Sequence, residues 1–213
     1  MLTDGVSGGL LLAFMALINP GDEVIMSDPY FVIYKHIINM LGGKCVFVDT
    51  YPDFRLCPEK VGDAVTVRTK LIILNSPANP TGVVYSADEL QKIADIARQK
   101  DIIILSDKIY DIFSYDSQCP SVGSYYDKAL ILNGFSKTSG MTGWRIGYAT
   151  CTEKLAPLME KMMMIQQYTF VCAPAPFQLS VPAALAYDMS GYVDSYRAKR
   201  DHICDGLKDS YEI

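Results

Sequence analysis

Lys137 stands in Gly134-Phe135-Ser136-Lys137-Thr138, and eight positions later Arg145 stands in Gly143-Trp144-Arg145-Ile146-Gly147. A lysine amine attacks a carbonyl carbon only in its neutral form, and the product is an imine. A planar guanidinium nearby suits a phosphate dianion better than an ammonium does. The pair therefore fits imine chemistry on a phosphorylated aldehyde. Taken alone, Lys137 would be a solvated surface lysine and Arg145 the partner of a surface carboxylate.

Other residues supply what such chemistry needs. Asp107 follows the apolar run Ile102 to Leu105 and so projects from the carboxyl end of a buried strand. A carboxylate there can pair with a protonated pyridine nitrogen and keep the ring an electron sink. Tyr110 comes three residues later, where its hydroxyl could share a phenolic oxygen with the amide of Asn79, in Asn79-Pro80-Thr81-Gly82. The plainer alternatives are a strand-to-helix turn and a common turn initiator. Gly5-Val6-Ser7-Gly8-Gly9 leads into an apolar helix, whose first amides, with the Ser7 hydroxyl, form an anion site. Glycines before a helix also make ordinary turns. Phe31 follows a strand and suits stacking on a flat heteroaromatic ring, although taken alone an aromatic residue in a half-apolar chain is more often core. Together these residues read as a pyridoxal phosphate site. Met159, Met162, Met163 and Met164 at helical spacing read as packing, and His36 and His202 have no partner motif.

The elements that must position these groups alternate between short apolar runs and longer amphipathic ones. That pattern predicts strand-helix units and a largely parallel sheet. Strands are expected over Glu23 to Met26, Cys45 to Val48, Leu71 to Leu74, Ile102 to Leu105, Ala129 to Leu132 and Ile146 to Ala149. Helices are expected over Ser7 to Leu17, Phe31 to Leu41 and Ala87 to Gln99, the last opened by Ser86 and Glu89 as a capping box. Beyond Cys151 the pattern is helical throughout, over Lys154 to Ile165, Pro176 to Tyr187 and Tyr192 to Leu207. Lys137 then lies in a Gly/Ser/Thr-rich loop after a strand, where open α/β sheets place their ligands.

A chain of 213 residues, 50% hydrophobic and 20% charged, is long enough to bury a core as one large domain. Its formal net charge of −5 provides no basic stripe for nucleic acid. The six cysteines, at 45, 57, 119, 151, 172 and 204, form no CxxC pair and no zinc spacing, and suit a reducing compartment. No metal site is expected. The apolar run Leu10 to Ile18 is too short to span a membrane and follows no basic segment, so a cytoplasmic protein without a membrane partner is expected. Both termini fall abruptly beside helices, which suggests a piece of a larger protein.

Asn79-Pro80-Thr81-Gly82, Asp107-x-x-Tyr110, Ser136-Lys137-Thr138 and Met141-Thr142-Gly143-Trp144-Arg145-Ile146-Gly147-Tyr148 stand in order. In this the chain resembles a class I/II aminotransferase of the aspartate aminotransferase superfamily, fold type I among pyridoxal phosphate enzymes, over about Thr3 to Leu207. The resemblance implies a three-layer α/β/α fold with a mostly parallel sheet. Residues 1–207 would form the large cofactor-binding domain and residues 208–213 the start of a C-terminal segment. Lys137 would be the Schiff-base lysine and proton carrier, and Asp107 the partner of the pyridinium nitrogen. Asn79 and Tyr110 would hold the phenolic oxygen, and Phe31 would stack on the ring. Arg145 and the loop of Gly5, Val6 and Ser7 would hold the phosphate, with help from Ser136. Amino acid and 2-oxo acid substrates and a homodimer are implied as well.

Three departures from the family pattern stand out. Lys108 replaces an acidic residue found after the aspartate in many relatives and could alter local charge. Gly134 occupies a position where some branches carry a phosphate-binding serine. The chain is also much shorter than usual, without the N-terminal arm and the C-terminal segment that grips the substrate carboxylate. A carbon-sulfur lyase or an aminocyclopropane carboxylate synthase would use the same site. A non-catalytic regulatory domain that binds the cofactor is an alternative of another class.

Overall fold

The computed structural model describes residues 1–116 and 118–211. Strands β1 (Leu2–Asp4), β2 (Glu23–Asp28), β3 (Lys44–Asp49), β4 (Thr69–Asn75), β5 (Ile103–Asp107), β6 (Ala129–Gly134) and β7 (Ile146–Cys151) form one sheet. Their order is β1-β7-β6-β5-β4-β2-β3, with β5 at the centre. The five strands from β2 to β6 run parallel, while β7 is antiparallel to β6 and to β1. The interior of the sheet is apolar on both sides, as strands covered on both faces require. Leu71, Ile72, Ile104, Leu105 and Leu130 are fully buried.

Helices α1 (Gly5–Leu17), α2 (Ile33–Met40) and α6 (Ala156–Thr169) share one core with the sheet, and α3 (Pro58–Ala64) and α4 (Ala87–Lys100) share another. The molecule is thus three layers, α/β/α. Helix α1 is apolar nearly all round because it is enclosed, lying on β6 and β7 and under α6 and α2. Leu10, Leu12, Ala13 and Phe14 have no exposed surface, and each large side chain among them contributes about 2 kcal/mol of burial. The capping box of α4 is present: Ser86 Oγ accepts from the Glu89 amide at 3.3 Å, and the Ser86 amide donates to Glu89 Oε2 at 2.7 Å.

The structure departs from the sequence pattern in several places. The short edge strand β1 and helix α3 are additional. Lys137 sits not in a loop but in a single helical turn, α5 (Phe135–Thr138), that follows β6 directly. The helix expected over Pro176 to Tyr187 is two pieces, α7 (Ala175–Gln178) and α8 (Val181–Ala186), each with a proline in its first turn. Pro182 has no amide hydrogen to continue the first piece, so the chain restarts rather than extends. Helix α9 (Ser190–Leu207) forms as expected, but none of its residues is buried. Of the segment expected at 208–213, Glu212 and Ile213 lie outside the described residues.

Gly147 of β7 backs directly onto the start of α1. A Cβ there would lie 2.7 Å from the Gly5 carbonyl carbon, 2.9 Å from the Val6 nitrogen and 3.0 Å from the Asn133 oxygen. Backbone on three sides cannot yield as a flexible side chain can. Gly147→Ala is therefore expected to lower stability by about 1–3 kcal/mol in denaturant titration. An unchanged midpoint would show that the α1 start is free to move off the sheet.

Candidate active site

The carboxyl ends of β4, β5 and β6 converge on one cavity. Asn75 and Asp107 are register partners at the ends of β4 and β5. Asp107 is 2% exposed. Its Oδ2 accepts from the Tyr34 hydroxyl at 2.8 Å and its Oδ1 from the Ile109 amide at 3.1 Å. Burial pushes its pKa up to about 6, against the opposing pull of those two hydrogen bonds. Burial, and then the Asp107 charge, push the Tyr34 phenol well above its ordinary value.

Asn75 ties this carboxylate to the Asn79 loop. Its Nδ2 donates to the Asp107 carbonyl at 3.2 Å, and its Oδ1 accepts from the Asn79 amide at 2.7 Å. The Asn79 side chain lies beside the Tyr110 phenol, whose pKa is raised first by burial and then by Asp107. Phe31 lines the same cavity and meets Tyr34 edge-on, with ring centroids 5.6 Å apart.

At the other side of the cavity is the start of α1. No acidic residue occupies its first turn and no side chain caps it, so its first amides keep their partial positive charge. Arg145 lies over this end. Its Nη1 donates to the Thr142 carbonyl at 2.9 Å and to Ser136 Oγ at 3.5 Å, and its Nη2 to the Asp4 carbonyl at 3.3 Å. The Asp4 carboxylate is only a distant partner, 3.7 Å from Nε. Gly5 has φ +63°, and a Cβ there would collide with the guanidinium. Glycine is thus what allows Arg145 to lie against the helix start.

The cavity holds about 180 Å³ and is lined by every expected site residue except Gly5, which lies beneath Arg145. Lys137 is exposed, and among the described residues its amine makes no hydrogen bond or ion pair. It also borders a wider groove of about 980 Å³, lined by Tyr110, Phe113, Tyr115, Trp144, Tyr187 and Tyr196. The donor set fits a small phosphorylated ring with a protonatable nitrogen. Among the described residues no cation pairs with the buried Asp107, and Arg145, Ser7, Ser136 and the α1 amides supply donors for an anion. No group of His, Cys, Asp and Glu among the described residues is placed to hold a metal, and no helix among them is long and apolar enough to cross a membrane.

The aminotransferase class I and II family model matches residues 1–213. The chain belongs to this family. It is 39% identical to a probable aspartate aminotransferase of Methanocaldococcus jannaschii, over 100% of this chain and 58% of that protein. It is 36% identical to the aspartate aminotransferase of Thermotoga maritima, over 98% of this chain and 56% of the relative. The crystal structure of aspartate aminotransferase from Thermotoga maritima superposes with a TM-score of 0.93 at 34% identity, covering 98% of this chain and 56% of that one. The aromatic aminotransferase from Pyrococcus horikoshii gives 0.92 at 32% identity, covering 98% and 58%. The chain thus spans little more than half the length of these relatives.

Tyr34, Asn75, Ile109 and Thr142 also belong to the site but escaped the sequence reading. Asn75 ends the run Leu71 to Leu74 as Asp107 ends its own run, so the same strand-end signal marks it. Tyr34 lies three residues after Phe31, one helical turn along. The concern over Lys108 is resolved by strand alternation. Its side chain turns away from the cavity, and it is not among the influences on Asp107. Gly134 is explained by packing, since a Cβ there would lie 3.0 Å from both Gly147 Cα and the Ile146 oxygen.

The raised pKa of Asp107 carries a pH signature. The folded value, about 6, exceeds the ordinary value of 3.8 for an exposed aspartate. Burial therefore costs nothing below about pH 4, where both states are protonated. The cost grows up to about pH 6 and then levels off, reaching on the order of 3 kcal/mol. The ligand-free chain should lose stability as pH rises across that window, and Asp107→Asn should flatten that loss. Denaturant midpoints across the window that superimpose for the two proteins would refute it.

Proposed function

We propose that this chain is the cofactor-binding part of a pyridoxal-phosphate-dependent aminotransferase, moving an amino group between an amino acid and a 2-oxo acid. Residues 1–207 are read as its large domain. The reading is carried by one observation: a buried carboxylate without a cation, an anion site and an uncommitted lysine amine line a single small cavity. The relatives named above are aminotransferases, which favours transamination over elimination on the same site.

Pyridoxal phosphate, when bound, supplies an aldehyde for imine formation and a ring that takes up the electron pair of the substrate's α-carbon. The chain's residues divide the remaining work. Arg145, Ser136, Ser7 and the amides of Gly5 to Ser7 hold the phosphate. Asp107 keeps the ring nitrogen protonated, and Tyr34 and the Ile109 amide keep Asp107 in place. Asn79 and Tyr110 fix the phenolic oxygen, and Phe31 covers one ring face. Lys137 Nζ would be the amine that holds the aldehyde and, when freed by the substrate amine, the base that carries the proton of the substrate's α-carbon. Its place between the small cavity and the wide groove suits that exchange, because the groove offers the substrate a way in.

The test is an absorption spectrum with added pyridoxal phosphate, before and after borohydride. Wild type is expected to show a visible band that borohydride fixes covalently to Lys137, and Lys137→Ala to show only free cofactor. Identical spectra for the two proteins would sink the assignment of Lys137.

A second copy of the chain is proposed to cover the apolar surface beside the groove, where Trp144, Phe177, Leu179, Leu185 and Tyr187 are exposed. Sedimentation is expected to give a homodimer. A monomer at every concentration tested would remove this part of the proposal.

A further inference from the structure

Lys108, turned away from the cavity, has an environment of its own. It is 7% exposed. Its Nζ donates to the carbonyl oxygens of Cys119 and Pro120, both at 3.0 Å, and to Cys119 Sγ at 3.2 Å. The thiol donates in turn to the Ser76 carbonyl at 3.4 Å. Lys108 is therefore locked in place by three acceptors, one of them the sulfur atom of a partly exposed cysteine. Cys57 has the opposite setting, with its thiol 2.9 Å from the Glu59 carboxylate. All six cysteines are free, and the Lys108 nitrogen, 3.2 Å away, is a nucleophile already in contact with the Cys119 sulfur.

We propose that Lys108 and Cys119 form an oxidation site, at which a hydroperoxide converts the contact into a covalent sulfur-nitrogen cross-link. In the first step the Cys119 sulfur attacks one peroxide oxygen and the O–O bond breaks. Sulfur is oxidised by two electrons to the sulfenic acid, and hydrogen peroxide is reduced, leaving one water. In the second step Lys108 Nζ gives one proton to solvent, and the neutral amine attacks that sulfur as the S–O bond breaks. The hydroxyl leaves as water with a second proton from the nitrogen. The product is a sulfenamide, lighter than the thiol and amine together by two hydrogen atoms, which a thiol reductant reverses. Sulfenic acids condense in this way with nearby nitrogen, and contact already exists before the reaction, so no search is needed.

The position of the cross-link gives it a consequence. It closes a ring over residues 108–119, which holds Tyr110, a lining residue of the small cavity, and the Asp111–Phe113 turn that borders the wide groove. A covalent ring restricts local opening of the segment it encloses. The redox state of Cys119 thus sets the mobility of one wall of the site.

Trypsin reports the bond directly, because cleavage after Lys108 requires its free amine. After hydrogen peroxide, wild type is expected to yield residues 101–128 as one uncleaved peptide, two hydrogens lighter, that dithiothreitol converts back to the ordinary pair of peptides. Neither Cys119→Ser nor Lys108→Arg, which keeps the charge but not the amine, should yield it. Hydrogen exchange at residues 110–113 should slow several-fold in the cross-linked form. Release of residues 109–128 with Cys119 either untouched or carried on to the sulfinic acid would overturn the proposal. Exchange unchanged on cross-linking would overturn the claimed restraint. None of these readouts needs pyridoxal phosphate, so they stand or fall apart from the proposed transamination.

Discussion

A carboxylate held out of water dominates this molecule's chemistry. Asp107 ends the central strand of the sheet, where apolar neighbours on both faces deny it solvent, and only Tyr34 and one backbone amide answer its charge. Two hydrogen bonds do not fully compensate a buried ion, which is why its pKa stands near 6 rather than in the ordinary carboxylate range. Such a group destabilises the empty fold and rewards a cation placed beside it. The surrounding polar residues are arranged around that imbalance, since Asn75 joins the same strand end to the Asn79 loop and Tyr110 lines the same cavity.

The opposite side of the cavity has the opposite sign. The start of α1 and the Arg145 guanidinium both present positive charge, and they come together only because the backbone is bare at Gly5 and Gly147. A ligand with a cationic nitrogen and an anionic phosphate therefore has one favourable orientation. Reversing it would set phosphate against Asp107 and the cation against Arg145. Orientation is thus settled by the fold before any contact with the reacting atoms, and that is how a site acquires preorganisation.

Much of this was legible in the sequence, for identifiable reasons. Period and composition marked β4, β5 and β6 because fully buried parallel strands are apolar throughout, and the polar residue that ends each run marks the face where ligands sit. The capping box marked the start of α4 because both of its hydrogen bonds are local. Long-range outcomes were not legible. The Tyr34–Asp107 bond joins residues 73 apart in sequence, and no local pattern distinguishes that tyrosine from a core aromatic. The contact of Gly147 with Gly5 is equally remote, so nothing local showed that a strand glycine and a glycine before a helix serve close packing. The break between α7 and α8 was in view as Pro182, but helical spacing on both sides of it outweighed the single residue.

Lys137 and Lys108 show how little residue type decides by itself. Each follows the carboxyl end of a neighbouring parallel strand, β6 and β5, and each lies beside a residue of the site. Lys108 is buried with three acceptors around one ammonium, a setting that fixes the side chain and gives the amine no freedom to meet a ligand. Lys137 has no polar partner among the described residues and faces two cavities, so its amine is free to move between them. The difference arises from alternation along one strand and from the single helical turn that follows the other. Attack on an incoming ligand needs an amine that is free to reach it, and of these two lysines only Lys137 has one; Lys108 can meet only the sulfur it already touches.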